Sequence, residues 1–93
     1  MVRRSRVLQL TLKREYFSQI VEGNKDTEYR KHKPYWKSRL EGKRYDKVHI
    51  RNGYLRDSPE MDVECKGIKL VGKGRDAEYH IMLGRVSNLK RWR

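Results

Sequence analysis

A chain of 93 residues has room for one small domain, because two separate cores within that length would both be marginal. It carries 24 Lys and Arg against 12 Asp and Glu, a formal net charge of +12, which favours a polyanionic partner over a neutral metabolite. Charged residues make up 39% and hydrophobic residues 35%, a balance close to that of disordered chains, but nine aromatics (one Phe, two Trp, six Tyr) argue for a folded core.

In chain order, Met1 to Arg6 forms a basic arm. Val7 to Leu12 then alternates, Leu8, Leu10 and Leu12 on one face and Val7, Gln9 and Thr11 on the other, the period-2 pattern of a half-buried strand. From Lys13 to Glu22 the apolar positions become Tyr16, Phe17, Ile20 and Val21, one face of a helix, with Gly23 where a C-cap glycine belongs. Asp26 to Arg30 reads as a short strand with Glu28 and Arg30 on one side and Thr27 and Tyr29 on the other. Lys33-Pro34-Tyr35-Trp36 opens a short helical segment that ends at Gly42.

Asp46 to Arg51 alternates Val48 and Ile50 against Lys47, His49 and Arg51, and Asn52-Gly53 suits a tight turn. In Met61 to Val71 the apolar phase changes at Gly67, which predicts a bulge or bend. Glu78 to Leu83 supplies the last strand, and Arg85 to Arg93 reads as a basic tail in which Trp92 either packs or frays. The expected fold is α+β: about five strands with one or two short helices, curled by its bends into a small closed or partly open β-barrel.

No apolar run approaches the ~20 residues needed to span a bilayer, and no apolar stretch of signal-peptide length follows the N-terminal arginines. The expectation is a soluble, cytoplasmic protein without a membrane partner, and as a monomer. Cys65 is the lone cysteine and the three histidines are scattered, so neither a disulfide nor a zinc-type site is expected, and no cofactor is implied.

The charge is blocked along the chain. Residues 1 to 14 carry +5, residues 30 to 51 carry nine basic against two acidic side chains, and residues 57 to 65 hold Asp57, Glu60, Asp62 and Glu64 with no base. On a compact domain such blocks can form a basic face and an acidic rim.

Gly23 to Arg30 matches the pattern G-x-K-x-x-E-x-R through Gly23, Lys25, Glu28 and Arg30, placed after a strand and a helix. This resembles the ASCH domain, a branch of the PUA-like superfamily of small β-barrels. Leu8 to Val21 upstream, and Arg30 to Trp36, Ile50-Arg51-Asn52 and Met61 to Leu70 downstream, look like short microbial and viral members, so the likeness covers roughly residues 7 to 84. The resemblance implies a barrel with an open cleft, lined partly by the motif, that binds RNA or a nucleotide-like ligand. Some members of the family are ribonucleases and others hydrolyse an amide on an acylated cytidine. Those amidohydrolases have a threonine three positions after the motif lysine, where this chain has Glu28.

Lys25, Glu28 and Arg30 are the leading site residues, since a carboxylate between two cations is held charged and can orient donors or act as a base. An ion pair that merely closes the barrel is the plainer reading. Lys31 to Lys37 interleaves cations with aromatics, as single-stranded RNA recognition does, so Lys33 and Trp36 join the list. Trp36 as a barrel cap is the alternative. Arg51, Asn52 and Tyr54 lie on or beyond one strand, and Asn52 either reads a base edge or makes the turn. His49, the histidine placed regularly on a strand, is the candidate general base.

Cys65 is in phase with Met61 and Val63 and reads as a small core residue; Glu64 faces the other way. The expected function is nucleic-acid binding, most of all RNA, in this basic cleft. Metal-independent RNA cleavage with Lys25, Glu28 and His49 is the alternative. Amide hydrolysis of a modified nucleoside, and docking of an acidic protein, complete the set.

Overall fold

The alternation of Leu8 and Leu10 against Gln9 does form a strand, β1 (Val7–Thr11), in the computed structural model, which describes residues 6 to 92. The remaining elements are α1 (Arg14–Val21), β2 (Thr27–Lys31), α2 (Pro34–Leu40), β3 (Lys47–Arg51), β4 (Glu60–Val71), a short 3-10 turn at Gly74–Asp76, and β5 (Glu78–Lys90). Phe17 and Ile20, one turn apart on α1, are buried, and Gly23 follows at φ +80°, where its N–H donates to the Ile20 carbonyl. Pro34 starts α2, as its fixed φ favours, and Leu40 anchors that helix in the core.

The five strands form one sheet in the order β1-β3-β4-β5-β2, curled into a half-barrel. β1 and β3 are parallel and all other pairs antiparallel. A parallel pair needs a long crossover, and here α1, β2 and α2 all lie within it. The sheet therefore has two edges, β1 and β2, which are not paired to each other.

Leu8, Leu10, Val48, Ile50, Met61, Val63, Tyr79, Ile81 and Leu83 line the inner face and pack with Phe17, Ile20 and Leu40. The phase change in β4 is a bulge: the pairing with β5 shifts register between Cys65 and Gly67, and Gly67 sits at φ +152°. A Cβ there would come within 3.3 Å of Met82 Cε. Cys65 is half-buried and packs against the core, and burial first of all pushes its thiol above the ordinary range.

One expectation needs correcting. Arg85 to Lys90 is no tail but the second half of β5, with Val86 opposite Val63, Ser87 opposite Asp62 and Lys90 opposite Glu60. Gly84 and the loss of alternation hide this in the sequence; β4 is twelve residues long and its first half needs a partner for its backbone groups. Asn88 takes φ +51° within the irregular stretch, a conformation that Asn tolerates better than most residues. Trp92 packs, its ring 5.1 Å from Phe17 and under the Arg14 guanidinium at 4.5 Å. Of the basic arm, residues 1 to 5 lie outside the described residues, and Arg6 donates its N–H to Asp46 Oδ2 at 2.8 Å. Among the described residues no helix is long and apolar enough to cross a membrane.

Because Trp92 closes the core beside α1, Trp92→Ala is expected to cost about 2–4 kcal/mol, somewhat below the roughly 3–5 kcal/mol for a fully buried aromatic because the ring is partly buried. Urea unfolding followed by circular dichroism checks this, and a loss under about 0.5 kcal/mol would mean that residue 92 frays.

Candidate functional site

Along β2 the burial pattern departs from simple amphipathicity. Glu28 stands opposite Ile81 and Arg30 opposite Tyr79, so both project toward the inner face of the sheet, where those partners are fully buried. Glu28 itself is only 5% exposed. Desolvating a carboxylate costs several kcal/mol unless cations and hydrogen bonds meet it, and three groups do so. Lys25 Nζ lies 3.3 Å from Oε1, Arg30 Nη1 lies 3.0 Å from Oε2, and the Tyr29 N–H donates to Oε1 at 3.2 Å.

The two cations each meet a ring as well. Lys25 Nζ is 4.8 Å from the Tyr29 centroid and 5.7 Å from that of Tyr16, and the Arg30 guanidinium is 5.0 Å from the centroid of Trp36. Such contacts are favourable for cations drawn partly out of water. Together these side chains line a cavity of about 590 Å³, completed by Thr11, Leu12 and Lys13 at the end of β1. The cavity thus draws its walls from both unpaired edges of the sheet, with α1 and α2 closing the sides. Three cations and one carboxylate face it, and its volume suits a nucleotide-sized ligand.

Of the residues singled out from sequence, Lys25, Glu28, Arg30 and Trp36 come together in this cleft. Lys33 does not line it; it is exposed at the N-cap of α2. Tyr54 is 87% exposed and, with Asn52, lines a neighbouring cavity of about 340 Å³. The Asn52 amide donates to the Leu12 carbonyl at 2.9 Å and so ties the end of β3 to the end of β1.

His49 and Arg51 do not line the cleft: the alternation left open which way their face turns, and the site roles given to them as candidates are corrected. Both lie on the outer face of β3, since Val48 and Ile50 take the inner one. There His49 Nδ1 is 2.8 Å from Asp62 Oδ1, with Lys47 Nζ at 3.4 Å from Oδ2 and the Asn88 amide donating to Oδ2 at 2.8 Å. Glu60 Oε2 meets Arg91 at 2.8 Å and Arg51 at 3.5 Å. The acids of residues 57 to 65 therefore include two that are partners of outer-face cations. Glu64 is exposed and accepts from the Arg85 N–H at 3.4 Å.

Lys13, Tyr16 and Tyr29 are cleft residues that sequence reasoning did not assign. Tyr16 reads there as core, yet it is 42% exposed; its place one helical turn before Ile20, next to Lys13 at the β1–α1 junction, was the available signal. Thr27, beside Glu28, does not line the cavity, and its hydroxyl donates to Asp26 Oδ1 at 3.2 Å. Among the described residues no three His, Cys, Asp or Glu side chains are grouped to hold a metal ion.

The chain matches no protein-family model, no curated protein and no solved structure.

Asp62 titrates as a probe of the outer-face network. Burial by itself would raise its carboxyl, but the hydrogen bonds from Asn88 and His49 and the charge of Lys47 outweigh it and hold the group below its ordinary 3.8. Because the folded value is depressed, the stabilisation is fully present above about pH 4 and is lost as the pH falls through the folded value. Asp62→Asn is expected to be about 1–3 kcal/mol less stable than the wild type at pH 7. The two should converge once the pH has fallen below the folded value of Asp62, measured by denaturant titration from neutral to acid pH.

Proposed function

We propose that the chain binds single-stranded RNA in the cleft around Glu28. The observation that carries this reading is the make-up of the cavity wall, where Lys25 lies on Tyr29 and Arg30 on Trp36 around one buried carboxylate. Cations serve phosphates and ring faces serve unpaired bases, and Glu28 holds both cations in place from beneath. The net charge of +12 supplies long-range attraction for a polyanion. The G-x-K-x-x-E-x-R likeness to ASCH domains supports the same reading, with Lys25, Glu28 and Arg30 of the motif lining the cavity.

Cleavage of the bound RNA is the second reading. In that reading Glu28 takes the proton of a 2′-hydroxyl as the 2′-oxygen attacks phosphorus, the 5′-oxygen leaves with a proton from Lys25 or water, and Arg30 faces the phosphate. Because Glu28 Oε2 is buried against Arg30, the carboxylate must turn toward the cavity to do so. His49, on the outer face, takes no part in this version. Amide hydrolysis has less support, because Glu28 stands where the amidohydrolases have a threonine and the neighbouring Thr27 does not line the cavity.

For a fluorescein-labelled decauridylate, polarisation titrations should show affinity falling with salt. With phosphate contacts from Lys13, Lys25 and Arg30, the slope of log K against log salt is expected to be about −2, and Lys25→Gln should reduce it by about 0.7. A flat salt response, or no binding, sinks the reading. Incubation of the same RNA with wild type and Glu28→Gln separates cleavage from binding: intact RNA with both proteins removes the second reading.

A further inference from the structure

Resting on the reading of the cleft as an RNA site, we propose that its ligand is a stretch of several nucleotides, not a lone nucleotide, and that this stretch runs from the cleft across the end of β1 to Tyr54. The second cavity, about 340 Å³, shares Thr11, Leu12 and Lys13 with the first. The two are halves of one groove, and Lys13, an exposed cation, stands on the stretch they share.

The far end of the groove is built and yet shows apolar surface to water. Tyr54 and Leu55 are 87% and 73% exposed, the highest values among the exposed large hydrophobic residues described. Their loop is nonetheless firmly held. The Asn52 N–H donates to the Pro59 carbonyl at 2.9 Å, Arg51 Nη2 to the Leu55 carbonyl at 2.6 Å, and the Ser58 N–H to the Leu55 carbonyl at 3.0 Å. Ser58 is buried, and its own carbonyl accepts from Arg91 Nε at 3.0 Å. A ring presented on a fixed backbone gives up little conformational entropy when a base stacks on it.

The near end has the matching chemistry. Trp36 lines the cavity there with the Arg30 guanidinium 5.0 Å from its ring centroid, and the exposed Tyr35, its own face covered by Arg39 at 3.6 Å, stands edge-on against it at 4.8 Å. Aromatic surface therefore stands at both ends of the groove with Arg30, Lys25 and Lys13 between. Rings and cations in alternation are what sequence-tolerant binding of a single strand requires, whereas a mononucleotide would use the first cavity alone.

The test compares uridine 5′-monophosphate with a uridine hexanucleotide by calorimetry at one fixed salt concentration. The hexanucleotide should bind at least about 100-fold tighter, and Tyr54→Ala should cut that ratio about 5- to 100-fold, the effect of losing one stacked base. Tyr54 makes no core contact, so an unchanged unfolding midpoint verifies that the variant is folded. Mononucleotide binding with no gain for the hexanucleotide, or a ratio that Tyr54→Ala leaves unchanged, overturns this inference and spares the cleft reading. If neither ligand binds the wild type, both fall. Equal displacement of the hexanucleotide by a polyglutamate peptide of the same charge would show that the groove selects acidic charge and not nucleic acid, and would also overturn it.

Discussion

A carboxylate on the inner side of a sheet must be met by opposite charge or the strand that carries it will not stay in place. Glu28 imposes that condition on β2. Lys25 answers it from the turn that follows α1, and Arg30 from two residues along the same strand. Both cations then lie against aromatic rings, one of which, Trp36, comes from α2. The arrangement of the α1–β2 turn, β2 and α2 around one buried anion follows from this requirement. The charged trio lines the cavity that lies between the unpaired edges β1 and β2.

The outer face of the sheet handles its charges differently. Asp62 and Glu60 on β4 are surrounded by Lys47, His49 and Arg51 from β3 and by Asn88 and Arg91 from and beyond β5. Removing one partner from a partly buried network leaves the others uncompensated, so such a cluster pins strand register as much as it adds stability. Here it joins three strands along the half of β4 that the C-terminal half of β5 covers. The two buried acids thus serve opposite faces of the sheet: Glu28 borders an open cavity, and Asp62 fastens strands together.

Much of this was legible beforehand. Alternation marked β1 and β3, a three-to-four spacing marked α1, and the phase change at Gly67 marked the bulge in β4, because each of these patterns expresses which side of a local element faces the core. The grouping of Lys25, Glu28 and Arg30 was legible for the same reason, since residues two apart on a strand share a face. The second half of β5 was not: Arg85 to Lys90 has no clear period, and its strand character comes from pairing with β4, more than twenty residues earlier for Val86 and Ser87.

The sequence by itself determined a small, strongly basic α+β domain with a motif that places one acid between two cations. What it could not assign was the partner of each outward-facing side chain, because His49 and Arg51 alternate in the same way whether their face lines a cleft or meets another strand's acids. Strand order decided that. Once β4 lies beside β3, Asp62 and Glu60 fall opposite His49 and Arg51, while the unpaired edges β1 and β2 bring Lys13 and Tyr16 to the cavity that already held Glu28. Such neighbours are distant in the chain, and only the closure of the sheet brings them within reach.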